Sequence, residues 1–102
     1  MADRANLHEE LCVILGSRNV YFNPPESVRM SYDAIRYKLS GKDIKRANNK
    51  AYRITNEYEG VVITQNPDTT IPDEILSHFE MCSFGSPYIA DNLNHYPFTI
   101  YY

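Results

Sequence analysis

Two stretches of alternating side chains constrain this chain more than anything else in it. Within residues 30–39, Ile35, Tyr37 and Leu39 alternate with Arg36 and Lys38. Further on, Tyr52, Ile54 and Tyr58 share one face while Arg53, Thr55, Glu57 and Glu59 share the other. Successive side chains of an extended backbone point to opposite faces, so a period of two is that of half-buried strands. The second stretch runs on into Val61-Val62-Ile63. That predicts a strand that starts half-exposed and ends deeply buried, with an irregularity near Gly60. The segment between the strands, residues 40–49, is polar, basic and weakly periodic, and reads as a long, mobile hairpin loop.

Helices are predicted on either side of this pair. Leu7, Leu11, Ile14 and Leu15 recur at helical spacing, Asn6 with Glu9 has the form of a capping box, and Gly16 stands where the helix would close. A first amphipathic helix is expected over residues 3–15. Asn19-Val20-Tyr21-Phe22 is a short extended segment stopped by Pro24-Pro25, which lack donors and restrict the residues before them; a loop then runs to about residue 29. Asn66-Pro67-Asp68 ends the second strand, and Thr70, Pro72, Asp73 and Glu74 supply a cap, a first-turn proline and early acids. The second helix is expected over residues 72–79, with Ile75, Leu76 and Phe79 free to pack on the sheet. Cys82-Ser83-Phe84 and residues 96–102 have extended character, the latter with Tyr96, Phe98 and Ile100 on one face. A terminus formed by such a strand is expected to be tied into the sheet or an interface. The fold class expected for residues 1–102 is α+β: a small single-domain sandwich, two helices on a mixed or antiparallel sheet of about four strands, in the order α-β-β-β-α-β.

A chain of 102 residues has material for one core and no separate substrate domain. Its net charge of −3, with both signs mixed along the chain, offers no overall polycation to a nucleic acid or an anionic membrane. Cys12 and Cys82 lie far apart among apolar neighbours, which suits buried reduced thiols better than a disulfide framework or a metal knuckle. No stretch approaches the ~20 apolar residues of a membrane span, and Met1-Ala2-Asp3-Arg4 lacks the apolar core of a signal peptide. The expected product is the whole chain, made in a cytoplasm. The compositional outlier is aromatic: nine Tyr and four Phe with no Trp. Tyr gives large, rigid contact area with a polar tip, which fits surfaces buried when a partner arrives and fits strands equally well.

Catalytic chemistry finds little support. His8, His78 and His95 fall on different predicted elements, and no HxxxH or CxxC spacing is present for a metal. Ser17, Ser27, Ser83 and Ser86 lack a GxSxG context, and neither cysteine is expected to have a histidine partner. Asp33, Asp43, Asp68, Asp73 and Asp91 are spread through strands, turns and caps, where capping and turn-forming are their ordinary roles. With four glycines and no GxGxxG or GxxxxGK, a phosphate cradle is absent. No catalytic, cofactor-binding or metal residue is assigned. One charged feature remains: Lys42, Lys45 and Arg46, continued by Lys50 and flanked by Lys38. Such a segment can touch phosphates through charge alone, although a solvated loop has the same composition.

Several phrases of the sequence resemble a known family. Residues 7–17 (LHEELCVILGS), 19–26 (NVYFNPPE) and 30–32 (MSY) are similar to the opening of small tail-terminator (tail-completion) proteins of long-tailed phages of Gram-positive hosts. Cys82-Ser83-Phe84, residues 88–93 (YIADNL) and 98–102 (FTIYY) are similar to their ending. The resemblance implies a compact α/β sandwich that forms a hexameric ring at the head-proximal end of a non-contractile tail. There it would end polymerisation of the tail tube protein and meet the head-closure (stopper) protein, with genomic DNA passing through the lumen unread. The implied location is the virion tail or neck, assembled in the host cytoplasm, with no membrane partner and no catalytic residues. A ring of heterologous contacts needs two different complementary patches on each subunit. The candidate interface residues are therefore Lys42, Lys45 and Arg46 in the segment 42–49, with Lys50 just after it, and second the turn of Pro24, Pro25 and Glu26. A head-closure or adaptor subunit of the neck is the nearest alternative; a small nucleic-acid-binding module using the basic segment is the alternative from another class.

Overall fold

The two alternating stretches form one long antiparallel hairpin, around which the rest of the chain is arranged. The computed structural model describes residues 4–24, 31–47 and 50–102. Its elements are α1 (Arg4–Leu15), β1 (Val20–Phe22), β2 (Ala34–Ala47), β3 (Lys50–Thr64), α2 (Ile71–His78), β4 (Cys82–Phe84), β5 (Tyr88–Ala90) and β6 (Leu93–Tyr101). The strands form one mixed sheet in the order β1-β2-β3-β6-β4, with β5 also paired to β6. Only β1 with β2 is parallel; every other pair is antiparallel.

Two helices and a mixed sheet agree with the expected class, but the sheet has six strands rather than about four, and the order continues past the expected α-β-β-β-α-β. Of the two additional strands, β4 is the segment Cys82–Phe84 already expected to be extended, and β5 is made by a turn. Asp91 and Asn92 have φ of 52° and 63°, between the paired residues Ala90 and Leu93. Two consecutive left-handed residues match the right-handed twist of the flanking strands, and Asp and Asn tolerate that region best after Gly. The turn also starts β6 at Leu93 rather than at residue 96. Pro97 then sits inside β6, opposite Val61. Its carbonyl accepts from Gly85 N–H at 2.9 Å, so its donorless nitrogen faces the gap between β4 and β5, and no ladder bond is lost.

Helix α1 closes as expected, with Gly16 at φ +80° donating its N–H to Cys12 O at 2.9 Å, a left-handed C-cap. Its start departs from expectation. Asn6 lies inside the helix, and Glu9, instead of completing a capping box, accepts two hydrogen bonds from the Arg18 guanidinium at 2.8 and 2.9 Å. The expected first residue of the helix, Asp3, lies outside the described residues, as does Met30, where β2 was expected to start. In α2 the expected cap, Thr70, makes no side-chain capping bond; Thr69 Oγ1 accepts the Ile71 N–H at 3.3 Å, and the helix begins at Ile71.

Both helices cover the same face of the sheet. Leu7, Leu11 and Cys12 of α1, with Ile75 of α2 and Phe79 just after it, pack on Ile35, Tyr37, Tyr58, Val62, Phe98 and Ile100. Burying each of the Leu, Ile and Val side chains is worth about 1.5–3 kcal/mol, and truncating one such as Leu11 to Ala costs about 2–5 kcal/mol. Two expected members fall outside this core, since Leu39 and Leu76 are exposed. On the opposite face Val61, Ile63 and Leu93 form a smaller cluster. Residues 61–64 are thus buried on both sides, the deeply buried end foreseen for β3. The ladder of β2 and β3 is irregular between Leu39 and Gly41 and between Lys45 and Arg46, not at Gly60. Gly60 serves packing instead, because an added Cβ would lie 2.4 Å from Phe98 Cζ and 2.9 Å from Arg36 O. Among the described residues no helix is long and apolar enough to cross a membrane.

Candidate assembly surface

The hairpin of β2 and β3 outruns the sheet it belongs to. β1 accompanies β2 only from Ile35 to Tyr37, and β6 accompanies β3 only from Glu57 onward. Six residue pairs lie beyond, from Lys42 with Asn56 to Ala47 with Lys50. At a rise of about 3.4 Å per residue they make an arm of roughly 20 Å. The long dimension of 50 Å against 27 and 23 Å reflects it. The radius of gyration, 14.6 Å, likewise exceeds the ~13 Å of a compact chain this long.

The expected loop over residues 40–49 is therefore corrected. β2 continues to Ala47 and β3 begins at Lys50, with Asn48 and Asn49 outside the described residues. A ribbon that has left the core has no buried face to demand apolar alternation, so its strands do not announce themselves by period. Isolated two-stranded hairpins are marginal in water; this one is carried by strands anchored in the core and by bonds at its root. There Ser40 Oγ donates to Glu57 Oε2 at 2.8 Å and Tyr101 Oη to Glu57 Oε1 at 2.7 Å. These two bonds, Tyr101 first, hold the Glu57 carboxyl below its ordinary value. Lys42 Nζ donates to Asn56 Oδ1 at 2.8 Å, and Tyr102 N–H to Asn56 O at 2.9 Å.

Lys42, Lys45, Arg46 and Lys50 thus come together on one ribbon, Lys45 opposite Arg53 and Lys50 opposite Ala47. Pro24 does not join them. It borders a cavity of about 480 Å³ on the body, with Arg36, Glu59, Tyr88 and Pro97; Pro25 and Glu26 lie outside the described residues. The arm also divides the charge. Five of the ten Lys and Arg fall within residues 42–56 against one of the thirteen Asp and Glu, so the arm carries +4 and the rest of the chain −7.

A second surface was not foreseen from sequence. α1 and α2 leave a shallow groove of about 600 Å³ bordered by Val13, Ile14, Asp73, Glu74 and His78. Val13 is 79% exposed, and Leu76 on α2 is 45% exposed. From the rim residue His78, Nε2 lies 2.9 Å from Glu10 Oε1, and Glu10 Oε2 accepts from Tyr102 Oη. Burial pushes the Glu10 carboxyl up, but these hydrogen bonds outweigh it and hold it below its ordinary value. The only sequence signal for the groove was Val13, an apolar residue off the stripe of Leu7, Leu11, Ile14 and Leu15.

The three histidines are far apart in role. His8 Nδ1 lies 2.7 Å from Tyr37 Oη, His78 meets Glu10, and His95 Nδ1 lies 2.9 Å from Leu93 O. Burial raises both the Cys12 and Cys82 thiols, which are unpaired with each other. Among the described residues no group of three or more His, Cys, Asp or Glu could hold a metal ion. Compared with protein-family models, with curated proteins and with solved structures, the chain matches none.

Proposed function

We propose that the chain is a structural, self-assembling subunit of a phage tail: a tail terminator that closes into a hexameric ring, ends tube polymerisation and joins the tail to the head connector. The observation that carries the assembly part is the arm, a two-stranded ribbon of charge +4 on a body of charge −7. Strand edges without a neighbour are templates for pairing with another chain, and a chain with one protruding surface and one oppositely charged surface has the two unlike patches that a heterologous ring requires. The phage part is supported by the sequence phrases around residues 7–26 and 82–102. DNA would pass through the ring without base-specific contact.

Imaging of the assembled particle tests this. A ring of sixfold symmetry between tail tube and head, with tails of uncontrolled length when the protein is lost, is the expected result. A twelvefold ring, or normal tails beside unattached heads, would make it an adaptor or head-closure subunit. The charge of the arm also favours a second reading, a small nucleic-acid-binding module. Salt-dependent binding of duplex DNA by the free chain, abolished when Lys42, Lys45 and Arg46 are neutralised, would establish that reading in place of the first.

A further inference from the structure

We infer that the arm of one copy docks in the groove between α1 and α2 of the next copy. This rests on the reading of the chain as a self-assembling subunit and adds which surfaces meet. Among the described residues no strand pairs with the outer edge of β2 from Lys38 to Ala47, or with that of β3 from Lys50 to Thr55. The groove has the complementary chemistry. Its apolar part is Val13 and Ile14, and its rim carries the carboxylates of Asp73 and Glu74, neither of which has an ion pair among the described residues. The arm brings five cations and, paired across its two strands, Ile44 and Ile54.

Charge decides between a second copy and a nucleic acid as the occupant. A duplex drawn to the +4 arm also meets the field of the −7 body, which repels it. A second copy also carries a −7 body, but its +4 arm set against Asp73 and Glu74 turns part of that charge into local attraction, which a duplex cannot do. Arm and groove are different surfaces of one chain, so each copy gives an arm and receives one. Contacts of that kind propagate head to tail and close into a ring when the rotation between neighbours allows.

The test is a charge exchange in the full chain, followed by sedimentation velocity and mass photometry at low and high salt. Lys45→Glu with Arg46→Glu exchanges two arm cations for carboxylates and takes the arm from +4 to 0, and Glu74→Lys exchanges one of the two groove carboxylates for a cation. Each alone is expected to weaken association by about tenfold or more. The three together are expected to recover it, and half-molar salt to weaken the unaltered chain. Because a cation in the first turn of α2 opposes the helix dipole, circular dichroism accompanies Glu74→Lys; recovery by the arm exchange cannot arise from a misfolded helix. If the unaltered chain forms rings that Glu74→Lys leaves intact, or if the combined variant associates no better than either parent, the dock is wrong while the assembly reading stands. A chain that stays monomeric at every concentration, alone and beside tail tubes, overturns both. Binding of a duplex oligonucleotide that depends on the arm but is indifferent to Glu74→Lys gives the arm to nucleic acid and also overturns the dock.

Discussion

Gly60→Ala isolates one packing contact whose cost can be worked out. Gly60 lies in the ladder between Tyr37 and Phe98, and an alanine Cβ there would stand 2.4 and 2.8 Å from two ring carbons of Phe98 and 2.9 Å from the Arg36 carbonyl oxygen. Ordinary contact begins near 3.4 Å, so the ring must retreat by about 1 Å. Phe98 is 3% exposed and packs on Phe84 with ring centroids 5.5 Å apart, which leaves it little room to do so. Overpacking of this kind costs about 1–3 kcal/mol, offset by about 0.4–1 kcal/mol from the stiffer unfolded chain. From the middle of each range the expected net loss is about 1.3 kcal/mol, or a fall in Tm of roughly 5–10 °C for a domain of this size. Thermal and urea unfolding followed by tyrosine near-ultraviolet circular dichroism would measure it. In a Phe98→Ala background, itself costing about 3–5 kcal/mol, the same change should lose most of its penalty, leaving only the carbonyl contact. Additive penalties, or a Gly60→Ala variant that melts with the parent, would refute the assignment of this glycine to ring packing.

Three further outcomes follow from the same structure. Glu9, Glu10 and Glu57 are each held below their ordinary value of 4.5; groups so depressed contribute stability that is present above that pH and lost as pH falls through their folded values. Melting temperature should therefore decline below about pH 4.5, and Glu10→Gln should shrink the decline; an identical profile would exclude Glu10 as a contributor. Since burial raises both thiols, Cys12 and Cys82 should react with a disulfide reagent at neutral pH at least about tenfold more slowly in the native chain than in the urea-unfolded one; equal rates would contradict this. Asn92→Val, at φ 63°, should cost about 1–2 kcal/mol in unfolding measurements, whereas Asn92→Gly should cost nothing, and equal loss in both would point away from backbone conformation.

Local signals were the legible part of this fold. The stripe of Leu7 and Leu11 with Gly16 behind it specifies α1 through neighbours alone, and Val61-Val62-Ile63 reveals its two-sided burial because apolar residues stop alternating when both faces are covered. Pairings that depend on distant residues were not legible. β1 is three residues long, and nothing within it says that it lies parallel to β2. β5 places Ile89 and Tyr88 in solvent, so no burial pattern marks it, although Asp91-Asn92 carried the turn signal that would have found it. Of the candidate surface, the gathering of Lys42, Lys45, Arg46 and Lys50 could be read directly. That they ride on a ribbon opposed in charge to the body could not, because it depends on where β1 and β6 stop.

β6 is the hub of the sheet: β3 lies along one edge, β4 and β5 share the other, and its Phe98 and Ile100 sit in the main core. During synthesis everything before Leu93 leaves the ribosome without β6, so helix α1 then has only part of its core to fold on. Contacts this distant along the chain make folding slow, and they make it late. A chain that stops before Leu93 would lack the strand that joins β3 to β4 and β5, and with it Phe98 and Ile100 of the main core.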